Sequence, residues 1–225
     1  MRICRTILRN LGILVFSIVF LDVYSQDEGK SAFSAGADFY SSYIFRGPNL
    51  GTGPAVQPLV KFSTGIFTAG GWGSFDFNGY QEADLFFSFN LPGGFTLGMT
   101  DYYLADLEYF DFSEYSGSHA YEINGGFTKA GLTLAANYIL NEAAGVGSQG
   151  GDLYFQGTYC FKYFSLFLGA GNGWHTTDTK FNICNLGLGT SVKIKITESF
   201  SIPVAGQVIL NPEREKMYIV VGFTL

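Results

Sequence analysis

The chain is short of charge, of cysteine and of long apolar runs. Only 14% of its 225 residues are Asp, Glu, Lys or Arg, against about 25% in ordinary soluble domains. Nothing after the first 25 residues approaches 18 continuous apolar positions, so a mature helical membrane span is excluded. Basic residues are fewer than acidic ones, 13 against 19, and no basic stripe appears, which argues against a nucleic-acid partner. Of three cysteines, Cys160 and Cys184 lie in the body of the chain, with no CxxC and no histidine at a ligand spacing. That pattern offers no zinc site, and no cofactor or metal is expected.

What is present begins with an address. Arg2, Arg5 and Arg9 precede an almost wholly apolar Leu11–Leu21, and Val23-Tyr24-Ser25 offers a small residue for cleavage before Gln26. Residues 1–25 read as a cleaved export signal, shorter than the about 20 residues of a membrane anchor. Cys4 precedes the apolar run, so it is not a lipid-attachment cysteine. Removal of three arginines and Asp22 leaves 10 basic and 18 acidic residues, a charge of −8. Residues 26–225 then form one domain that is rich in aromatic and apolar residues, with no Pro/Ser-rich linker.

Period-two alternation fills this domain. Ala83, Leu85, Phe87 and Phe89 alternate with Glu82, Asp84 and Ser88, and Met217, Ile219, Val221, Phe223 and Leu225 alternate with Tyr218, Gly222 and Thr224. Each run shows one face to oil and the other to something polar. Twelve runs read as strands: Ala32–Phe45, Ala55–Ser63, Phe67–Phe77, Glu82–Asn90, Phe95–Leu104 and Ala120–Phe127 in the first half. Leu132–Leu140, Asp152–Phe161, Ser165–Gly171, Asn182–Lys195, Phe200–Leu210 and Lys216–Leu225 follow. The long connections (Arg46–Pro54, Ala105–His119, Asn141–Gly151, Asn172–Phe181) are all odd-numbered, every even one is tight, and the third, Asn78–Gln81, is the one short odd connection. A membrane barrel with both termini on one side needs this order, and a Greek-key sandwich does not. The expected fold is all-β, an antiparallel up-and-down transmembrane barrel of 12 strands, with 10 or 14 as alternatives.

The cost of charge in lipid, about 2–4 kcal/mol for a cation at the midplane, assigns the faces. Val56, Val60 and Phe62 go outside and Gln57 and Lys61 inside; Tyr121, Ile123 and Phe127 outside, Glu122 and Asn124 inside. Asp101 alone falls on the lipid side, which implies that the embedded part ends near it or that a bulge turns it inward. Tyr40, Tyr43, Phe45, Tyr102, Tyr103 and Tyr138 are expected in the outer girdle, and Tyr159, Phe161, Tyr163 and Phe164 in the inner one. The expected lumen holds Asp38, Asp76, Glu82, Asp84, Glu122 and Asp152 against Lys61, Lys193 and Lys195, a balance of −3 that would favour cations weakly. Twelve strands lie between filled and open barrels, so the sequence leaves open a narrow pore or a plug of paired ions. Cys160 and Cys184 fall at opposite barrel ends, too far apart to bridge.

Ser41-Ser42-Tyr43-Ile44-Phe45-Arg46-Gly47 and Pro54-Ala55-Val56-Gln57-Pro58, with Asp84-Leu85-Phe86-Phe87 and Asp101-Tyr102-Tyr103, resemble the TorF-type porins of Gram-negative outer membranes. The likeness is clearest over residues 31–105. The terminal Val220–Leu225 is similar to a barrel-closing strand, although many such strands end in Phe where this one has Leu225. The resemblance implies passage of small solutes and carries no catalytic residue. Outer-membrane lipid, the barrel-assembly machinery and periplasmic chaperones are the expected partners.

Two other functions compete with a channel. A lipid-modifying enzyme would need a nucleophile and base within about 2.6–3.2 Å. Ser118 and His119 are neighbours on opposite faces, and Glu122 lies off the face of His119, so no catalytic residue is expected. A closed barrel acting through its loops would use the longest one, where Asp106, Glu108, Asp111 and Glu114 stand among Tyr109, Phe110, Phe112 and Tyr115. That loop is expected to pack over the mouth and gate it.

Overall fold

A computed structural model describes residues 32–225; the export signal expected over 1–25 lies outside them. The alternating runs form β1 (Phe33–Tyr40), β2 (Tyr43–Ile44), β3 (Asn49–Leu50), β4 (Ala55–Thr64), β5 (Phe67–Asp76), β6 (Gln81–Leu91), β7 (Phe95–Tyr103) and β8 (His119–Lys129). Then come β9 (Leu132–Ile139), β10 (Glu142–Ala143), β11 (Ser148–Gln149), β12 (Leu153–Cys160), β13 (Ser165–Gly171), β14 (Asn182–Lys195), β15 (Ser201–Asn211) and β16 (Lys216–Thr224). Twelve of these close into one antiparallel barrel in the order β1-β16-β15-β14-β13-β12-β9-β8-β7-β6-β5-β4. A short seam closes the barrel, pairing Asp38, Phe39 and Tyr40 of β1 with Thr224, Phe223 and Gly222 of β16. The remaining four strands are two small hairpins, β2–β3 and β10–β11, carried by loops.

The faces follow the pleat. Along β6, Glu82, Asp84, Phe86 and Ser88 are buried inside while Leu85, Phe87 and Phe89 are exposed outside, Leu85 by 53%. Leu97, Ile123, Leu134, Leu168, Leu188, Ile219 and Val221 continue the apolar outer band. A soluble sandwich buries its greasy face; this barrel shows it outward, as lipid requires. Among the described residues no helix is long and apolar enough to cross a membrane, which says nothing of strands.

One end carries the tight turns at 65–66, 92–94, 130–131, 161–164 and 196–200, together with the Phe33 and Leu225 ends of β1 and β16. The other carries the long connections 41–54, 104–118, 140–152 and 172–181. Cys160 closes β12 at the turn end and Cys184 lies near the loop end of β14, and they are not bridged to each other.

Three expectations need correction. The first strand stops at Tyr40, because the chain bends at Ser41–Ser42 and enters the barrel instead of running on to Phe45. Tyr40, Tyr43, Phe45 and Tyr102 are therefore not girdle residues: Tyr43, Phe45 and Tyr102 lie in a buried interior cluster, and Tyr40 packs on a second one with Ile44 and Ile209. Asp101 is not turned inward, since β7 keeps an unbroken register with both neighbours. It stays on the outer face near the strand's loop end, where it meets His119.

Candidate functional site

The lumen has two unlike halves. Near the turn end the inward side chains are small or polar, and Lys61, Ser63, Asn90, Thr96, Ser191 and Lys193 are partly or fully exposed. Toward the loop end the inward side chains are buried, and residues of the connections pack among those of the strands. The connection 41–54 folds down into the barrel as the hairpin β2–β3, with Tyr43 paired to Leu50 and Ile44 to Asn49.

The hairpin tip is a four-residue turn in which the Phe45 amide donates to the Pro48 carbonyl at 2.8 Å. Its central residues, Arg46 and Gly47, both have positive φ, 53° and 113°, the sign pattern of turns that match strand twist. An arginine in that region costs about 1–2 kcal/mol, so the contacts it makes must offset the strain. Arg46 donates from both terminal nitrogens to Glu122 of β8, at 2.6 and 2.8 Å. Its guanidinium also lies 4.8 Å from the ring centres of Phe45 and Tyr154. Glu122 is fully buried and further accepts from the Tyr102 hydroxyl at 2.9 Å and from the Asn124 amide. Gly47 sits against the wall: a Cβ there would come within 1.9 Å of the Cys184 carbonyl oxygen. The wall bulges at that point, because Gly169 pairs with Asn185 and Ala170 with Ile183, leaving Cys184 as the extra residue.

Aromatic rings pack the rest of the plug. Tyr43 lies 5.7 Å from Trp72, Phe45 5.9 Å from Tyr102 and 6.1 Å from Trp174, and Trp174 5.3 Å from Tyr102. Trp174 and His175 come from the short helical turn Gly173–His175 of the connection 172–181. The Trp174 indole donates to His175 Nε2 at 2.9 Å. His175 is fully buried, with its Nε2 accepting that bond.

The expected lumen acids sit at the plug end and act as its fittings. Asp76 accepts from the backbone amides of Thr52, Asn78 and Tyr80, each at 2.8 Å, and so ties the hairpin's return arm to the rim. Glu82 accepts from the Tyr80 hydroxyl at 2.8 Å, and Asp152 from the Ser148 hydroxyl at 2.8 Å. Asp84 is buried beside them on β6, and Asp38 accepts from the Thr224 hydroxyl across the closure seam. Lys61, Lys193 and Lys195 lie at the turn end, with Lys195 in an exposed ion pair to Glu198 at 2.6 Å. The six acids and the three lysines thus lie mostly toward opposite ends of their strands. Sequence reasoning missed Arg46, Tyr154, Trp174 and His175. The signal available was one arginine beside a glycine, after an aromatic run, in the first long connection.

The acidic aromatic loop is anchored at the outer face where β7 and β8 meet it. His119 opens β8 on the outer face, and Phe112 stacks on it at 4.6 Å, Tyr103 at 5.5 Å and Tyr109 edge-on at 5.0 Å. His119 Nδ1 lies 3.0 Å from both Asp101 oxygens, and Nε2 is 2.6 Å from the Tyr109 carbonyl. The loop is pinned to the outer wall and to the neighbouring connection, where the Ala144 amide donates to the Tyr115 carbonyl at 2.9 Å. Asp106, Glu108 and Glu114 are exposed there, while the Ser113 hydroxyl and amide hold the Asp111 carboxyl below its usual range. His119 Nδ1 and Nε2 thus face Asp101 and the Tyr109 carbonyl. Among the described residues no group of His, Cys, Asp and Glu could hold a metal ion.

No protein-family model matches the chain, and no characterised protein matches it by sequence. Solved structures with a similar outline include a mutant of Rh. blastica porin, at 12% identity and TM-score 0.40, covering 76% of this chain and 55% of that one. The outer membrane protein OprD from Pseudomonas aeruginosa is also similar, at 12% identity and TM-score 0.35, covering 87% of this chain and 65% of that one. The chain thus spans less than two thirds of the length of either structure.

Proposed function

We propose that the protein, whose motifs resemble those of TorF-type porins, is a Gram-negative outer-membrane channel for small solutes, held shut in this conformation by the hairpin β2–β3. The observation that carries this reading is the origin of the plug. The lumen is closed by a loop that enters from one end, not by side chains of the wall alone, and a polar, accessible vestibule lies behind it. A barrel of fixed structural purpose gains nothing from a vestibule. An obstruction on a loop can leave while the strand ladder stays intact. The apolar outer band supports the membrane location.

Planar-bilayer recording of the refolded mature chain tests this. Deleting Tyr43–Leu50 should leave a heat-resistant barrel and convert rare or small current steps into frequent, larger ones. If the folded deletion variant stays silent, the channel reading fails and the barrel acts through its external loops. The open lumen is proposed to prefer cations weakly, since six carboxylates face three lysines, and Arg46 leaves with the hairpin.

A further inference from the structure

We infer that the wall behind Arg46 is a guanidinium-binding site, filled by the chain's own arginine when the lumen is shut and open to small guanidinium-bearing cations when it is not. This deepens the channel reading, on which its conductance arm rests, but its binding arm does not need that reading. The carboxylate of Glu122 takes two parallel N–H bonds at 2.6 and 2.8 Å, the fork geometry that a guanidinium satisfies and a single ammonium does not. The receiving groups belong to the wall and not to the hairpin. The Tyr102 hydroxyl of β7 holds Glu122 at 2.9 Å. The Asn124 amide of β8 holds it too, and Asn124 is fixed in turn by the Thr100 hydroxyl at 2.8 Å and by Asn137 at 3.0 Å. Tyr154 of β12 supplies a ring face 4.8 Å from the cation, which favours a flat, weakly hydrated ion. With the hairpin gone, these strands still present an oriented carboxylate with a stacking ring beside it. Arg46 therefore acts as a tethered occupant of a site that free solutes of the same chemistry can use.

The variant Arg46→Ala empties the site while keeping Phe45 and the rest of the hairpin. Methylguanidinium is the probe and methylammonium its control, each at millimolar concentration. The readouts are the fluorescence of Trp72 and Trp174, the two tryptophans of the chain, both packed against the plug, and the current in planar bilayers. Methylguanidinium should bind saturably to Arg46→Ala and reduce its current, with about a tenfold preference over methylammonium. Adding Glu122→Gln should abolish both effects. If Arg46→Ala refolds only with help, its refolding yield becomes the readout, and methylguanidinium but not methylammonium should restore it. Binding without current in any variant would uphold the site and reject the channel. A conducting Arg46→Ala that neither binds nor is blocked by methylguanidinium overturns the site and leaves the channel standing. Equal response to the two cations, or persistence in Arg46→Ala/Glu122→Gln, overturns it as well.

Discussion

At the scale of single residues, Gly47 and Arg46 decide whether the plug seats. Gly47 combines a φ of 113° with a wall contact that leaves a Cβ only 1.9 Å from a backbone oxygen, and backbone does not step aside as a side chain tip can. Gly47→Ala should therefore unseat the hairpin while the barrel stays heat-resistant on gels, and its open probability in bilayers should rise several-fold. Gly147→Ala is the matched control: φ there is 89°, but nothing lies within 4 Å of the added carbon, so only backbone strain is introduced and conductance should not change. Equal behaviour of the two variants would reject Gly47 as the seat. Neither role was legible beforehand, because the aromatic and β-branched run Tyr43-Ile44-Phe45 reads as a continuation of the strand past Ser41–Ser42. The turn chemistry of Arg46-Gly47 is local, whereas its meaning comes from Glu122, 76 positions away. The partner of His119 was missed for a similar reason. Sequence spacing tests acids on the same strand, while Asp101 reaches His119 from β7, whose Tyr103 pairs with His119.

At the scale of elements, the strands were legible and the destinations of the loops were not. Strands declare themselves through alternation, and loop lengths alternate with topology, so eleven connections fell on the expected ends. A loop's length does not say whether it folds into the lumen, as 41–54 does, or onto the outer wall, as 104–118 does. What sends 104–118 outward is the stack of Phe112, Tyr103 and Tyr109 around His119, which anchors aromatic rings at the level of the lipid headgroups. If this anchor alone holds the loop, deleting Leu107–Tyr115 should leave single-channel conductance unchanged. A rise comparable to that of the Tyr43–Leu50 deletion would restore the gating role. Phe112→Ala removes one stacked pair worth about 0.5–1.5 kcal/mol. It should speed proteolytic nicking of the loop by about two- to tenfold, with the barrel itself uncut. An unchanged cleavage rate would mean that the stack does not hold the loop.

At the scale of the whole molecule, orientation and charge follow from the barrel's two ends. Cysteines placed at Gly145 or Tyr115, on the long-loop end, should be labelled on intact cells, and one at Gly93, in a tight turn, should not. The inverse pattern would overturn the topology. The sequence reading summed the expected lumen charges, and the sum hides their placement. Asp38, Asp76, Glu82, Asp84, Glu122 and Asp152 belong to the loop half, and Lys61, Lys193 and Lys195 to the turn half. Placement along the axis depends on where each strand starts and in which direction it runs, so strand boundaries and topology must both be right before it can be read. Once the hairpin is withdrawn, this arrangement puts a cation-rich zone next to an anion-rich one. A voltage positive on the loop side drives cations out of the acidic zone and anions out of the lysine zone, both toward the middle, where carriers accumulate and conductance rises. The opposite polarity pulls them apart and depletes the junction. The Tyr43–Leu50 deletion variant, inserted in known orientation at low salt, should pass more current when the loop side is positive, and the asymmetry should fade as salt screens the fixed charges. Substituting Lys61, Lys193 and Lys195 by Gln should abolish the asymmetry and strengthen cation preference, because the carboxylates then act alone. A symmetric current in the deletion variant, or one larger with the loop side negative, would mean that these side chains do not line the conducting path.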